Sequence, residues 1–204
     1  MSKLFLVRHG ETALNSAERF CGQNDIELSV DGLGQVERLR DRLATQRIDV
    51  IYSSDLKRAL VTAKTIASGR QLEIIACPEL REINFGEVEG LTFAEIIQRY
   101  PEMAELWTNW NLELRFPGGE SVDELDTRVT KFLKRLKAHA PEETILIVAH
   151  SAPLRLIICH LLGIELCHWR QFRLGLASLS ILDTYPQGAI VSLLSDTSHL
   201  GKEG

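Results

Sequence analysis

Residues 3–12 read KLFLVRHGET, and residues 144–151 read TILIVAHS. In each stretch an apolar run that suits a buried strand ends at a histidine, His9 in the first and His150 in the second. Strands of this composition are typical of parallel sheets that helices cover on both faces. Because ligands bind beyond the carboxyl ends of such strands, we expect the two imidazoles to lie side by side in one site.

Strand-like runs and helical patterns alternate along the rest of the chain. Strands are predicted at 4–7, 49–53, 72–77, 144–149, 178–185 and 189–194. Helices are predicted at 31–45, 56–68, 121–138 and 153–162, with Asp31 as the N-cap of the first. This alternation predicts a three-layer α/β/α fold in which helices flank a mainly parallel sheet.

One segment, residues 83–120, breaks the alternation with short helical pieces and loops. It carries Trp107 and Trp110, and it ends near the sequence PGGES at 117–121. A segment of this kind between sheet elements predicts a small helical cap over the site. The length of 204 residues suits a single domain, 1–204, that includes this insertion.

Composition excludes several classes of partner. The net charge of −5 disfavours a general polyanion-binding surface, so we expect no nucleic-acid partner. No apolar run approaches the roughly 18 residues of a membrane span, and the N-terminus lacks a signal-peptide pattern, so we expect no membrane partner and a cytoplasmic location. The four cysteines show no CxxC or Cys/His zinc spacing, and we expect no metal and no cofactor. The sequence does not determine the oligomeric state, and a homodimer is one of the alternatives.

Positive groups and carboxylates gather at the predicted site despite the acidic background. Arg8 precedes His9, and Arg58 falls in the first turn of the helix that follows the second strand. Guanidinium forks match phosphate geometry, so the cluster predicts a phosphate site. Phosphoryl transfer needs a nucleophile, a clamp for the equatorial oxygens and a proton donor. An imidazole, the arginines and a glutamate supply these, although chemistry alone does not separate Glu82 from the neighbouring Glu87 and Glu89.

The motifs that carry these residues resemble the histidine phosphatase superfamily, also called phosphoglycerate mutase-like. They are LVRHGET, Asn15, Arg58 in SDLKRA, Glu82 in EINFG and His150 in VAH, in the family's order over about residues 3–185. The resemblance implies that His9 becomes phosphorylated, and that Glu82 is the proton donor and later the base. It further implies that Arg8, Arg58 and His150 bind the transferred phosphoryl group of a small-molecule phosphomonoester.

The resemblance also assigns substrate-binding residues: Asn15 and the backbone of Gly22 and Gln23 belong to the family's substrate loop. One departure follows the second histidine, where Ser151 replaces the glycine of many members. The backbone N–H of Ser151 can still donate to phosphate, while its hydroxyl either adds a donor or crowds the site.

Three stretches and the tryptophan pair look like those of α-ribazole phosphatases, which act in cobalamin assembly. The stretches are FCGQND at 20–25, LREINFGEVEGLT at 80–92 and FPGGES at 116–121. This likeness predicts α-ribazole 5′-phosphate as the substrate, with tryptophans that either stack on its ring or form the core of the cap. The alternatives are a broad-specificity phosphatase, a mutase and a non-catalytic phosphate-binding regulatory protein. A mutase is disfavoured because residues 101–120 contain a single arginine, Arg115.

Overall fold

The computed structural model describes residues 2–201 and contains one six-stranded sheet. Its strands are β1 (Lys3–Arg8), β2 (Val50–Ser53), β3 (Ile74–Ala76), β4 (Thr144–Ala149), β5 (Leu179–Tyr185) and β6 (Gly188–Asp196). Their order across the sheet is β3-β2-β4-β1-β5-β6. The first four strands are parallel, and β5 and β6 add an antiparallel hairpin at one edge. The predicted mainly parallel sheet is therefore confirmed.

Seven α-helices are described within residues 2–201. They are α1 (Ala13–Ser16), α2 (Val30–Leu43), α3 (Lys57–Ala67), α4 (Phe93–Arg99), α5 (Pro101–Thr108), α6 (Val122–Leu136) and α7 (Ser151–Leu162). None of them is long and apolar enough to cross a membrane.

The side chains of β1 alternate between two hydrophobic cores, one on each face of the sheet. Phe5 and Val7 pack with the buried residues of α2 and α3, whereas Leu4 and Leu6 pack with those of α6 and α7. Because successive strand residues point to opposite faces, one strand contributes to both cores. Helices thus cover both faces, which confirms the three-layer α/β/α prediction.

Two helix starts differ from the sequence prediction. The N-cap of α2 is Ser29, whose Oγ accepts a hydrogen bond of 3.0 Å from the Gly32 N–H, so Asp31 lies in the first turn instead. Helix α7 begins at Ser151, two residues before the predicted start at Pro153. Proline fits the first turn of a helix, where its missing N–H would have no partner, and therefore does not mark the start here.

The register of β1 and β4 places the two histidines. Arg8 pairs with Ala149 across these parallel strands, so His9 and His150 each follow one member of that pair. Strand β2 lies on the other side of β4, with Ser53 opposite Val148. The loop that leads from β2 to Arg58 therefore reaches the same edge of the sheet.

Candidate active site

The His9 imidazole is buried and has a defined tautomer. Its Nδ1 lies 2.6 Å from the Gly10 carbonyl oxygen, which can only accept, so Nδ1 carries the proton. Nε2 accepts a hydrogen bond of 3.3 Å from the Nε of Arg58. Burial and then the charges of Arg58 and Arg8 hold the pKa of His9 well below its usual value. His9 is therefore neutral at pH 7 with its proton on Nδ1, which leaves the lone pair of a nucleophilic imidazole on Nε2.

The His150 ring lies beside His9, with 4.9 Å between the ring centroids. Its Nε2 is 2.8 Å from the Oγ of Ser54, and that Oγ accepts the Leu56 N–H. The Ser54 hydroxyl can therefore donate to Nε2, which leaves the proton of a neutral His150 on Nδ1. Within residues 2–201 this buried Nδ1 has no hydrogen-bond partner. It is an available donor next to the nucleophile.

The arginines give the site a local positive charge. Arg58 is fully buried, and it donates to the carbonyl oxygens of Gly22 (2.5 Å) and Asn24 (2.9 Å). Arg8 donates to the Leu174 carbonyl at 2.7 Å, and its buried Nε has no partner in the described chain. Burial lowers the pKa of Arg8 to about 10, so the guanidinium still carries its charge at neutral pH. Both can attract a phosphoryl group.

Glu82 is the carboxylate of this site, which separates it from its two neighbours in sequence. Its Oε1 accepts the N–H groups of Ile83 (3.0 Å) and Ala152 (3.1 Å), and the second lies in the first turn of α7, next to His150. Glu87 instead accepts the Tyr100 hydroxyl, and Glu89 accepts the backbone N–H groups of the loop at Gly22 and Gln23. The geometry therefore favours Glu82 for proton transfer.

Arg128 holds the segment that carries Glu82, a role that no motif in the sequence predicts. Its guanidinium donates to the carbonyl oxygens of Glu79 (3.0 Å), Arg81 (2.5 Å) and Glu82 (2.8 Å). It also binds both carboxylate oxygens of Glu120, at 2.9 Å each. This clamp fixes the backbone from which the Glu82 side chain projects.

The predicted substrate loop is largely occupied by internal contacts. The backbone N–H groups of Gly22 and Gln23 donate to the Glu89 carboxylate at 2.9 and 2.7 Å, so a substrate would need to displace it. The Asn15 side chain accepts both the N–H and the hydroxyl of Thr12, which caps α1. Ser151 is the half-buried first residue of α7, where the N–H groups have no intrahelical acceptor.

Gly10 serves packing between α2 and the loop after β1. A Cβ at this position would lie 2.7 Å from the Gly32 carbonyl oxygen and 2.8 Å from the Cγ1 of Val36. The close approach that requires glycine is therefore to the backbone and the Val36 side chain of α2.

The two tryptophans of residues 83–120 have different surroundings. Trp107, in α5, packs its ring against Phe20, Phe85 and Phe116, with centroid distances of 5.6, 6.5 and 5.7 Å. Trp110 follows the end of α5 with a φ of 56° and is 41% exposed. Trp107 is thus part of an aromatic core, whereas the partly exposed Trp110 ring lies 5.5 Å from the Arg170 guanidinium.

One group of potential metal ligands lies outside this site. The ligand atoms of Glu165, Cys167 and His168 lie within 4.8 Å of one another, on the segment after α7. None of these residues belongs to the cluster around His9, so the absence of a metal from the reaction stays a prediction.

Comparisons with known proteins find relatives over nearly the whole chain. The sequence profile of the histidine phosphatase superfamily (branch 1) matches residues 4–197. Phosphoserine phosphatase 1 of Hydrogenobacter thermophilus is 35% identical over 99% of this chain and 96% of its own. The α-ribazole phosphatase of Shigella flexneri superposes with a TM-score of 0.88, at 30% identity and 96% coverage of both chains. Entamoeba histolytica phosphoserine phosphatase, solved with 3-phosphoglyceric acid, has a TM-score of 0.85 at 30% identity, over 98% of this chain and 100% of its own.

Proposed function

This chain belongs to the histidine phosphatase superfamily, and we propose that it hydrolyses small-molecule phosphomonoesters through a phosphohistidine on His9. The observation that carries the proposal is the neutral His9 imidazole, whose proton is held on Nδ1 and whose Nε2 lies 3.3 Å from Arg58. A deprotonated Nε2 within a buried positive cluster combines a nucleophile with a binding site for a phosphoryl dianion.

In the first step, Nε2 of His9 attacks phosphorus and the bond between phosphorus and the leaving oxygen breaks. The carboxyl group of Glu82 gives its proton to that oxygen, so an alcohol leaves. Arg8, Arg58 and the Nδ1–H of His150 stabilise the charge on the three equatorial oxygens. The product is a phosphohistidine, and Glu82 is then a carboxylate.

In the second step, a water molecule attacks the phosphohistidine. The Glu82 carboxylate takes a proton from that water, and the bond between Nε2 and phosphorus breaks. Inorganic phosphate is released, while His9 is again neutral and Glu82 again protonated. One carboxyl group therefore serves both steps, and the balance requires neither a metal nor a cofactor.

For the substrate, we propose α-ribazole 5′-phosphate as the first candidate. Support comes from the similarity to the Shigella flexneri α-ribazole phosphatase and from the exposed ring of Trp110, which could stack on a flat base. Such a substrate would place the protein in cobalamin synthesis.

A second candidate is a phosphomonoester of a small carboxylic acid, such as phosphoserine. The similarity to phosphoserine phosphatase 1 over 99% of the chain favours it. A mutase remains disfavoured, because Arg115 is exposed and donates to Glu124 at 2.7 Å instead of facing His9.

The proposal is tested by phosphate release from four compounds side by side, in the presence of EDTA. They are α-ribazole 5′-phosphate, phosphoserine, 3-phosphoglycerate and p-nitrophenyl phosphate. We expect hydrolysis of p-nitrophenyl phosphate and a much higher kcat/KM for one of the two candidates. His9→Ala should abolish turnover, and substantial residual turnover in that variant would refute the mechanism.

A further inference from the structure

Arg155, in α7, is a half-buried cation that lies beside the Trp169 ring. Within residues 2–201 its guanidinium makes no ion pair, and its buried Nε makes no hydrogen bond. Burial lowers the pKa of this side chain because the charged form loses hydration. The charge of Glu82 acts in the opposite direction but does not outweigh the effect of burial, so an anionic ligand would compensate the guanidinium further.

The position of Arg155 relates it to the leaving-group side of the active site. It lies four residues after Ser151 and three after Ala152, so the three share one face of α7. Side chains on a helix point back toward its N-terminus, which brings the guanidinium over the first turn of α7. There the Ala152 N–H binds Glu82 at 3.1 Å. Since Glu82 is the residue that protonates the leaving oxygen, Arg155 lies near the part of the substrate beyond that oxygen.

The neighbouring cations are already held or exposed. The guanidinium of Arg170 lies 3.9 Å from the Trp107 ring centroid and donates to the Trp107 carbonyl oxygen. Arg173 is exposed. Arg155 itself lies 5.8 Å from the Trp169 ring centroid, and Trp169 is buried, which restricts the directions the guanidinium can take. Arg155 therefore differs from Arg173 in being partly buried, and its buried Nε has no hydrogen-bond partner within residues 2–201.

We propose that Arg155 binds a carboxylate on the leaving group, so that the enzyme prefers phosphomonoesters that carry a carboxylate close to the ester oxygen. This inference rests on the proposed function, because it takes the Glu82 side as the leaving-group side. It favours the second substrate candidate over α-ribazole 5′-phosphate, whose nucleoside carries no carboxylate. A planar guanidinium suits this role because it can donate two parallel hydrogen bonds to a carboxylate.

The test compares O-phosphoserine with O-phosphoethanolamine, which differs only by lacking the carboxylate. Binding is measured by calorimetry on His9→Ala, which cannot form the phosphohistidine, so the result does not depend on turnover. We expect O-phosphoserine to bind about 10- to 100-fold more tightly, the range typical of a hydrogen bond to a charged group. Adding Arg155→Gln to His9→Ala should remove most of this preference. Arg173→Gln is the matched control, because it removes a nearby positive charge without changing Arg155. It should preserve the preference for O-phosphoserine.

Turnover of p-nitrophenyl phosphate by the protein that retains His9 tests the proposed phosphatase function separately. With Arg155→Gln alone, kcat/KM for O-phosphoserine should fall about 10- to 100-fold, and that for p-nitrophenyl phosphate by less than about 3-fold. Equal affinity of His9→Ala for O-phosphoserine and O-phosphoethanolamine would refute the proposed carboxylate site. This comparison does not require a substitution at Arg155. Parallel losses on both substrates, or an equal loss in Arg173→Gln, would also overturn it. Absence of p-nitrophenyl phosphate hydrolysis would refute the proposed function and leave the binding comparison readable.

Discussion

Replacement of Arg128 by methionine should both destabilise the protein and impair Glu82. Methionine fills a similar volume but removes three hydrogen bonds to backbone carbonyls and the paired contact with Glu120. Removing one partner of a buried ion pair costs about 3–5 kcal/mol. The Arg128 and Glu120 side chains are 16% and 19% exposed, so water compensates part of the loss, and we expect roughly 2–4 kcal/mol. For a chain of this length, that corresponds to a fall in Tm of about 4–16 °C.

The same substitution should affect catalysis in a way that depends on the leaving group. The freed Glu82 carbonyl lets the backbone shift, so the carboxyl group is less well placed to protonate the leaving oxygen. Alkyl phosphates need that proton, whereas p-nitrophenolate leaves readily without it. We therefore expect kcat/KM to fall roughly 10-fold for an alkyl phosphate and much less for p-nitrophenyl phosphate.

The assays are thermal unfolding and steady-state kinetics with both substrates. Arg115→Met is the matched control, because Arg115 also pairs with a glutamate, Glu124, but the two side chains are 57% and 49% exposed. Exposed ion pairs contribute little, so the control should leave Tm and both rates nearly unchanged. A Tm for Arg128→Met that equals the control's would refute the clamp, and equal losses on the two substrates would refute its action through Glu82.

Three other perturbations have expected outcomes. Gly10→Ala should lower the free energy of unfolding by about 1–3 kcal/mol in urea denaturation, because the added Cβ meets the backbone of α2 at 2.7 Å. Its control is Gly34→Ala in α2, where the added Cβ would meet only the flexible Arg38 side chain. This variant should raise the free energy of unfolding by about 0.5–1 kcal/mol. Burial lowers the pKa of both His9 and His150, so the unfolded chain takes up protons first as the pH falls. The free energy of unfolding should therefore decrease from about pH 6.5 downward, where an ordinary histidine titrates, and His9→Asn should reduce that decrease. Ser54→Ala should lower kcat/KM about 2- to 10-fold, because His150 loses the hydroxyl that fixes its tautomer; an unchanged value would show that Ser54 does not orient the imidazole.

The centre of the site could be predicted because local sequence controls it. Two apolar runs that end in histidine indicate buried strands, and parallel neighbours bring His9 and His150 to one edge. Arg58 follows from its place in the first turn of α3. These features depend on residues close together in the chain, where periodicity and motif spacing carry information.

The surroundings of the site depend on contacts between distant segments. Glu82 could be distinguished from Glu87 and Glu89 by resemblance alone, because its contact with the Ala152 N–H joins two distant parts of the chain. Arg128 lies on a helix among charged residues, and this pattern predicts a solvent-exposed side chain. In the structure it donates instead to carbonyl oxygens of the segment before the cap. Backbone acceptors have no sequence signature, so such a clamp becomes visible only in three dimensions.

The backbone N–H groups of Gly22 and Gln23 also have partners that the sequence could not predict. The loop is polar and contains glycine, which suits a ligand site, but Glu89 already accepts both N–H groups. A Cβ at Gly22 would lie 2.6 Å from the Ile83 carbonyl oxygen, so a close approach of backbone to backbone explains the glycine.

Rapid-quench detection of a phosphoenzyme tests whether His9 carries the phosphoryl group during turnover. The protein is mixed with labelled p-nitrophenyl phosphate, quenched in base within one turnover, and digested to locate the label. If His9 is the nucleophile, an acid-labile, base-stable phosphoryl group forms on it at least as fast as steady-state turnover and is absent from His9→Ala. Turnover without label on His9, or label that forms more slowly than product, would contradict it.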